Sequence, residues 1–226
     1  MKIKPNHSRQ LWLFPQTRQF SPDGLLNFLR SAYLRTSGID KSPVMAPDRA
    51  RIKAYTADRQ LLKQSTLNLL NKFEEPEDRA VIIWALGRMR HRKAGPAIMD
   101  VLKEILPRFN EGSEKVRMAA IEALKHIRYI PAFRTLINSN WRSEQETAAA
   151  LEAALEIVEG HAGQILMKKK EQKNINQFAF HGNARIKQAA VEILAHMWGK
   201  QELTFGIRLP VFLDPHKPFR PTVARA

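Results

Sequence analysis

The chain has 226 residues, a formal net charge of +15 at pH 7 and no cysteine, which excludes disulfides and sites built on thiolates. Hydrophobic residues make up 44%, enough for the core of one fair-sized domain or two small ones. No apolar run approaches the roughly 18 residues of a membrane-spanning helix, so we expect a cytoplasmic protein with no membrane contact.

The excess positive charge lies at the two ends of the chain. Residues 1–57 contain ten Lys and Arg against three Asp and Glu, and residues 168–226 contain eleven against four. Residues 58–167 are almost neutral, with 16 against 15. Basic ends on a neutral middle are typical of segments that meet a polyanion, so DNA or RNA is a candidate partner. An acidic protein partner, or a role in solubility alone, would give the same pattern.

The first feature along the chain is an apolar segment, Q-L-W-L-F, within residues 1–20, which we predict to be an extended basic arm. This segment resembles the Q-L-x-L-F peptide by which bacterial polymerases and replication regulators bind the sliding clamp. The resemblance implies that four side chains dock on a protein partner: Gln10, Leu11, Leu13 and Phe14. Alternatively, these side chains cover the exposed end of the chain's own helical stack, or pair as a strand with residues 207–213.

Residues 21–75 are predicted to form N-terminal helices that cap the central part of the chain. Ser21-Pro22-Asp23-Gly24 has the composition of a helix cap, and Leu25 to Leu34 is amphipathic. Residues 36–48 contain glycine and two prolines and are predicted to form a loop. Residues 57–73 have apolar residues at helical spacing and are predicted to form a strong helix.

Four apolar segments in the middle of the chain are alike. Leu86, Leu124, Leu155 and Leu194 occupy equivalent positions in them, at steps of 38, 31 and 39 residues. Each segment mixes alanine with branched apolar residues at helical spacing, which allows close stacking. Each of the first three is followed by a short break and a second helix, beginning near residues 97, 132 and 164.

The second and fourth segments read V-R-x-A-A-x-x-A-L or close to it, at Val116–Leu124 and Ile186–Leu194. This pattern resembles the HEAT-like repeat family, in particular the short variety named after phycobilisome lyases. The resemblance implies an all-α fold, a right-handed α-solenoid of helical hairpins over residues 76–198, whose curved surface binds other macromolecules. It implies no particular activity.

Residues 199–226 are predicted to form an extended or strand-like basic tail. The stretch from Leu203 to Leu213 is rich in β-branched and aromatic residues, and three prolines follow it.

Two dense basic clusters are candidates for contact with nucleic-acid phosphates. One lies at the first turn between paired helices and the other comes after the third hairpin. Basic residues at solvated helix ends are also favourable without any ligand. The residues concerned are Arg88, Arg90, Arg92 and Lys93 in the first cluster, and Lys168, Lys169, Lys170 and Lys173 in the second.

The sequence offers little for catalysis. It has no glycine-rich phosphate loop, no nucleophile elbow and no H-E-x-x-H zinc motif. Four histidines recur every 35 residues but occupy unequal repeat positions, about 10 Å apart along a solenoid, so we expect no shared metal, no cofactor and ordinary surface or helix-end histidines. They are His91, His126, His161 and His196.

We therefore predict a non-enzymatic adaptor that binds a protein partner, together with nucleic acid or a ribonucleoprotein at its basic ends. One alternative is a pure protein-interaction scaffold or a subunit of a large assembly. Another rests on the HEAT-like alkylpurine DNA glycosylases, which are basic and of similar length. By that analogy Trp84 or Trp141 would form a base pocket with a carboxylate such as Asp100.

Overall fold

Residues 21–38, 58–108 and 110–205 are described by the structure, a computed structural model, and no strand occurs in these ranges. Two short 3₁₀ turns, Arg92–Ala94 and Ala162–Gln164, interrupt the α-helices. The α-helices are α1 (Pro22–Thr36), α2 (Arg59–Leu70), α3 (Pro76–Arg88), α4 (Gly95–Ile105), α5 (Glu111–Ile127), α6 (Ala132–Asn138), α7 (Glu144–His161), α8 (Lys169–Phe178) and α9 (Ala184–Phe205).

The helices form two rows. Helices α1, α3, α5, α7 and α9 stack on one another in chain order and make up row A. Helices α2, α4, α6 and α8 make up row B, and each of them packs against the next helix of row A. Stacked hairpins of this kind confirm the predicted all-α solenoid.

The helices of row A run parallel, because polar contacts join their like ends. Lys115 Nζ lies 3.5 Å from Glu77 Oε1 near the starts of α5 and α3. Asn183, just before α9, donates to Glu144 Oε2 of α7 at 2.8 Å. At the other end, Arg128 after α5 pairs with Glu156 of α7.

Parallel row-A helices give the solenoid two distinct edges. The A-to-B edge carries the turns 89–94, 128–131 and 162–168, at the carboxyl ends of row-A helices. The B-to-A edge carries the turns 71–75, 106–110, 139–143 and 179–183, at their amino ends. Every charged residue near a turn can therefore be assigned to one edge or the other.

Helix starts reflect the local sequence. Ser21 accepts a hydrogen bond from the Gly24 amide at 3.2 Å, which confirms the predicted cap of α1. Asp58 caps α2 and Asn110 caps α5 in the same way. Pro76 and Pro96 lie in the first turns of α3 and α4, where the missing amide hydrogen costs nothing.

The predicted start of the third second-row helix near residue 164 was wrong, since α8 begins at Lys169. Ile165 is extended and buried, so the chain is tied to the core before the helix starts. Glu171 then accepts the Lys168 amide at 2.6 Å and fixes the beginning of α8.

Small residues set the spacing within row A. A Cβ atom on Gly87 of α3 would lie 2.5 Å from Ala123 Cα of α5, so only glycine permits this approach. Ala120 and Ala123 of α5 are fully buried, as the helical spacing predicts. The alternation of small and branched residues is thus the direct cause of the close stacking.

Buried ion pairs join neighbouring row-A helices at the B-to-A edge. Arg117 Nε and Nη2 of α5 reach Glu146 Oε1 of α7 at 2.8 and 2.7 Å, with side chains only 3% and 1% exposed. Glu146 Oε2 also accepts the Arg142 amide at 3.0 Å. A second pair is buried on one side only: half-exposed Arg30 of α1 pairs with buried Asp78 of α3, Nε to Oδ1 at 2.9 Å.

The tail predicted from residue 199 begins later, because α9 continues to Phe205. Gly199 costs a helix only about 1 kcal/mol relative to alanine, and the strong helix formers after it sustain the helix. The remainder of that tail, residues 206–226, lies outside the described residues. So do most of the predicted 36–48 loop and the N-terminal arm with its Gln10, Leu11, Leu13 and Phe14.

Within the described part of the chain, no helix combines the length and apolar character needed to cross a bilayer.

Candidate functional site

The first basic cluster lies at the A-to-B edge, where α3 turns into α4. Arg88, Arg90, Arg92 and Lys93 are all exposed there. The structure adds a residue from another element, Lys63 of α2, across a cavity of about 460 Å³. This cavity, which we call the His91 cavity, is lined by Gln60, Lys63, Gln64, Arg90, His91, Arg92 and Lys93.

The backbone of this turn places Arg90 in the left-handed region, at φ +49°. The Arg90 amide donates to Gly87 O at 2.8 Å and the His91 amide donates to Leu86 O at 3.0 Å, the two bonds of a Schellman motif. Glycine is the usual residue at this position, because a side chain costs about 1–2 kcal/mol in this conformation. Arg90 therefore has a strained backbone conformation, and its side chain is exposed at this turn.

The next turn along the same edge has the same backbone geometry, but its arginine pairs with a carboxylate. Arg128 also has a positive φ, +53°, and is the equivalent of Arg90 one repeat later. Its guanidinium, however, pairs with Glu156 and lies against Gly160. Among the described residues, no carboxylate pairs with Arg90, Arg92, Lys93 or Lys63.

His91 is 7% exposed, and its Nε2 is buried without a hydrogen-bond partner in the described part of the molecule. Burial lowers the pKa of His91 below its ordinary 6.5, and the charges of Lys63 and Lys93 lower it further. Both effects favour the neutral form of the imidazole. The sequence predicts a surface or helix-end histidine; His91 does lie at the end of α3, but it is buried, because the Schellman turn directs the residue after Arg90 inward.

The other three histidines of the 35-residue series do lie at or near the surface. His126 Nε2 is 3.2 Å from Glu122, and His196 Nε2 is 3.7 Å from Glu159. His161 is half-buried at the end of α7. In the described residues, no group of His, Asp and Glu is arranged to hold a metal ion.

The second basic cluster surrounds the start of α8. Lys168, Lys169, Lys170 and Lys173 are exposed, and none of them pairs with a carboxylate of the described residues. Glu171 lies among them in sequence but faces inward, where it accepts hydrogen bonds from the Lys168 amide and from Asn138 Nδ2.

One face of α8 carries an open groove of about 440 Å³, which we call the α8 groove. Phe180 lies at its end and is 81% exposed, a large fraction for an aromatic side chain. Sequence reasoning named the lysines and missed Phe180 and the amides, whose spacing of three and four residues could have identified this face. The groove is lined by Lys169, Gln172, Lys173, Asn176, Gln177 and Phe180.

The fold brings both clusters to the same edge, although about 75 residues separate them in the sequence. The first cluster comes after the end of α3 and the second precedes α8, so both belong to the A-to-B edge. The two clusters adjoin separate cavities: the His91 cavity lies on that edge, and the α8 groove runs along α8 from that edge to Phe180 in the turn 179–183. The opposite edge carries Glu74, Glu75 and Glu77 at its first turn.

The residues considered for a base pocket have other partners. Trp84 contacts Tyr33 edge to face with ring centroids 5.3 Å apart, and Trp141 Nε1 donates to Leu136 O at 2.9 Å. Asp100 is exposed, 3.9 Å from Lys103. None of the three lines either cavity described above.

The stacked hairpins and their two edges define a helical-repeat scaffold. Residues 64–156, from within α2 to within α7, match the family model of HEAT repeats. This part of the chain is similar to HEAT repeats, which generally serve as scaffolds for protein interaction. Neither the curated proteins nor the solved structures contain a match to this chain.

Proposed function

We propose that this protein is a non-enzymatic adaptor whose solenoid binds a protein partner and whose A-to-B edge binds nucleic acid. One observation carries the proposal: two clusters of exposed cations, without carboxylate partners among the described residues, share that edge. Exposed cations of this kind can release counterions from a phosphate backbone without first breaking ion pairs within the protein.

The α8 groove adds a reason to favour nucleic acid over an acidic protein. Lysines supply contacts for phosphates, amides supply hydrogen bonds for base edges, and Phe180 offers an exposed ring for stacking. The two end regions of the sequence, residues 1–57 and 168–226, each carry a net charge of +7, which adds to the attraction for a polyanion.

Binding of a single-stranded oligonucleotide at several salt concentrations tests the nucleic-acid half of the proposal. We expect affinity to fall steeply with salt, and the double variant Arg92→Ala/Lys93→Ala to reduce the slope by about 1.4, which is roughly 0.7 for each single-strand phosphate that the variant no longer neutralises. The matched control is Lys72→Ala/Lys115→Ala, which removes the same charge from the B-to-A edge.

An equal weakening of binding in the two double variants would show that net charge alone attracts the oligonucleotide, and would contradict binding at the A-to-B edge. Absence of binding at low salt would remove the nucleic-acid half altogether. In that case, an acidic protein that is still captured in a pull-down after nuclease treatment would be the partner expected of a pure protein-interaction scaffold.

The protein-binding half has its best candidate in the Q-L-W-L-F segment, which includes Leu13 and Phe14. We expect Leu13→Ala/Phe14→Ala to weaken binding of a protein partner, with the sliding clamp as the first to assay, at an unchanged melting temperature. A lowered melting temperature with binding intact would instead identify the segment as a cap on the solenoid.

A further inference from the structure

We propose that the His91 cavity is a phosphate-binding subsite, occupied by a phosphate of the nucleic acid that lies along the A-to-B edge. The inference rests on the proposed function and assigns a particular ligand group to a particular cavity. Its test is chosen so that the subsite can fail while the edge as a whole still binds nucleic acid.

The lining of the cavity is the first argument. Four cations converge from two separate elements, Lys63 from α2 and Arg90, Arg92 and Lys93 from the turn after α3. No carboxylate lines the cavity, and the remaining lining residues are His91 and two glutamines. Guanidinium and ammonium donors are the groups that bind phosphate oxygens most strongly.

The size of the cavity is consistent with such a ligand. The cavity volume of about 460 Å³ falls within the range of small-molecule sites. This volume is larger than a lone phosphate needs, and it leaves room for part of the attached sugar.

Two features of the turn are hard to explain by stability alone. The Nε2 atom of His91 is buried without a partner, a state that costs about 1–3 kcal/mol. The neighbouring Arg90 is held in a left-handed conformation, although it has no ion pair in the described structure to offset the strain. Unpartnered buried polar atoms and strained backbone conformations are concentrated at ligand sites, where the protein holds binding groups in position before the ligand arrives.

A bound phosphate would change the electrostatic surroundings of His91. The cations that line the cavity with it are Lys63 from α2 and Arg90, Arg92 and Lys93 from its own turn. Burial lowers the pKa of His91 most, and the charges of Lys63 and Lys93 lower it further. The negative charge of a phosphate would offset them. The imidazole resonances of His91 are therefore a local probe of occupancy, independent of any binding elsewhere on the protein.

The experiment is a titration of the full chain with sodium phosphate at constant pH and ionic strength, monitored by NMR of the histidine imidazoles. We expect a saturable shift at His91 that is absent at His126 and His161. The variant Lys63→Gln should weaken the apparent affinity about tenfold by removing one charge-assisted bond. Lys103→Gln, which changes an exposed lysine outside the cavity, should leave it unchanged.

A shift at His91 no larger than that at His126 and His161, or one unaffected by Lys63→Gln, would overturn the subsite. If Arg92→Ala/Lys93→Ala still weakened oligonucleotide binding, the proposed function would survive that result. Unchanged amide spectra of the variants outside the cavity would show that each variant is folded.

A second titration identifies the source of the phosphate by comparing two oligonucleotides of one sequence, with and without a 5′-phosphate. A His91 shift that requires the 5′-phosphate assigns the cavity to a strand terminus, whereas equal shifts assign it to the phosphodiester backbone. A shift produced by a phosphopeptide and by neither oligonucleotide would refute the assignment to nucleic acid.

Discussion

The two edges of the solenoid treat charge in opposite ways. At the B-to-A edge, ion pairs join neighbouring row-A helices, and two of these pairs have buried carboxylates, Glu146 with Arg117 and Asp78 with Arg30. At the A-to-B edge, the first and third turns carry exposed cations without carboxylate partners in the described structure. The buried pairs at the first edge thus join the repeats, while two turns of the second edge are open to a ligand. Changes at the first should alter stability, and changes at the second should alter binding.

The largest expected effect is at the B-to-A edge. Glu146→Gln should lower the free energy of unfolding by about 3–5 kcal/mol, because it leaves the buried guanidinium of Arg117 without a compensating charge. Urea denaturation measures this decrease. The double change Arg117→Met/Glu146→Leu should recover much of it, since no buried charge then remains unpaired. A decrease below about 1 kcal/mol in the single variant would contradict the role assigned to this edge.

In the α8 groove, Phe180→Ala should weaken binding of a single-stranded oligonucleotide by about 1–3 kcal/mol, the usual contribution of one stacked base. Its free energy of unfolding should change by less than about 0.5 kcal/mol, because the ring is exposed. Fluorescence anisotropy and urea denaturation give the two values. Phe133→Ala, which truncates a buried phenylalanine in α6, is the contrasting control and should mainly destabilise the protein.

Arg90→Gly should raise the stability of the protein and lower its affinity for the oligonucleotide. Glycine relieves the left-handed strain, so we expect the free energy of unfolding to rise by about 0.5–1 kcal/mol, while oligonucleotide affinity falls. Arg128→Gly relieves the same strain but removes the ion pair with Glu156, and should give a smaller gain or none. Equal gains in the two variants would contradict the distinction between a paired and an unpaired arginine.

The smallest effect concerns pH. Because the folded state holds the pKa of His91 below 6.5, the unfolded chain binds a proton at this residue first as the pH falls. Stability contributed by the neutral imidazole is complete above about pH 6.5 and declines as the pH drops towards the lowered pKa. Denaturation between about pH 7.5 and pH 5.5 should show a shallower pH dependence for His91→Gln than for the unchanged chain, and identical slopes would be inconsistent with a buried neutral histidine.

Much of the fold could be predicted because it depends on local periodicity. Alanines and branched residues at helical spacing identified the row-A helices, and Ser21 and Pro76 marked helix starts. The start of α8 was misplaced because burial of Ile165, a tertiary contact, delays the helix. Gly199 suggested an end to α9 that its neighbours override.

The candidate site was less accessible from the sequence. The clusters around Arg90 and Lys168 were evident as runs of basic residues, whereas Lys63 reaches the first only because α2 packs on α3. Charge counted over long stretches gave a neutral middle, since the count averages over two edges of opposite character. The direction of His91 depends on one backbone dihedral at Arg90, which no compositional pattern records.

The two Schellman turns, at Arg90 and Arg128, differ in whether a carboxylate pairs with the arginine, and one residue position can account for that difference. Arg128 pairs with Glu156. The residue equivalent to Glu156 one repeat earlier is Lys125, which lies on the helix adjacent to Arg90. A single exchange of Lys125 for glutamate would offer Arg90 a carboxylate and remove one positive charge from the same neighbourhood. In a repeat protein, new ligand sites can thus arise or vanish by point mutation at a surface position, without any alteration to the buried residues that hold the array together.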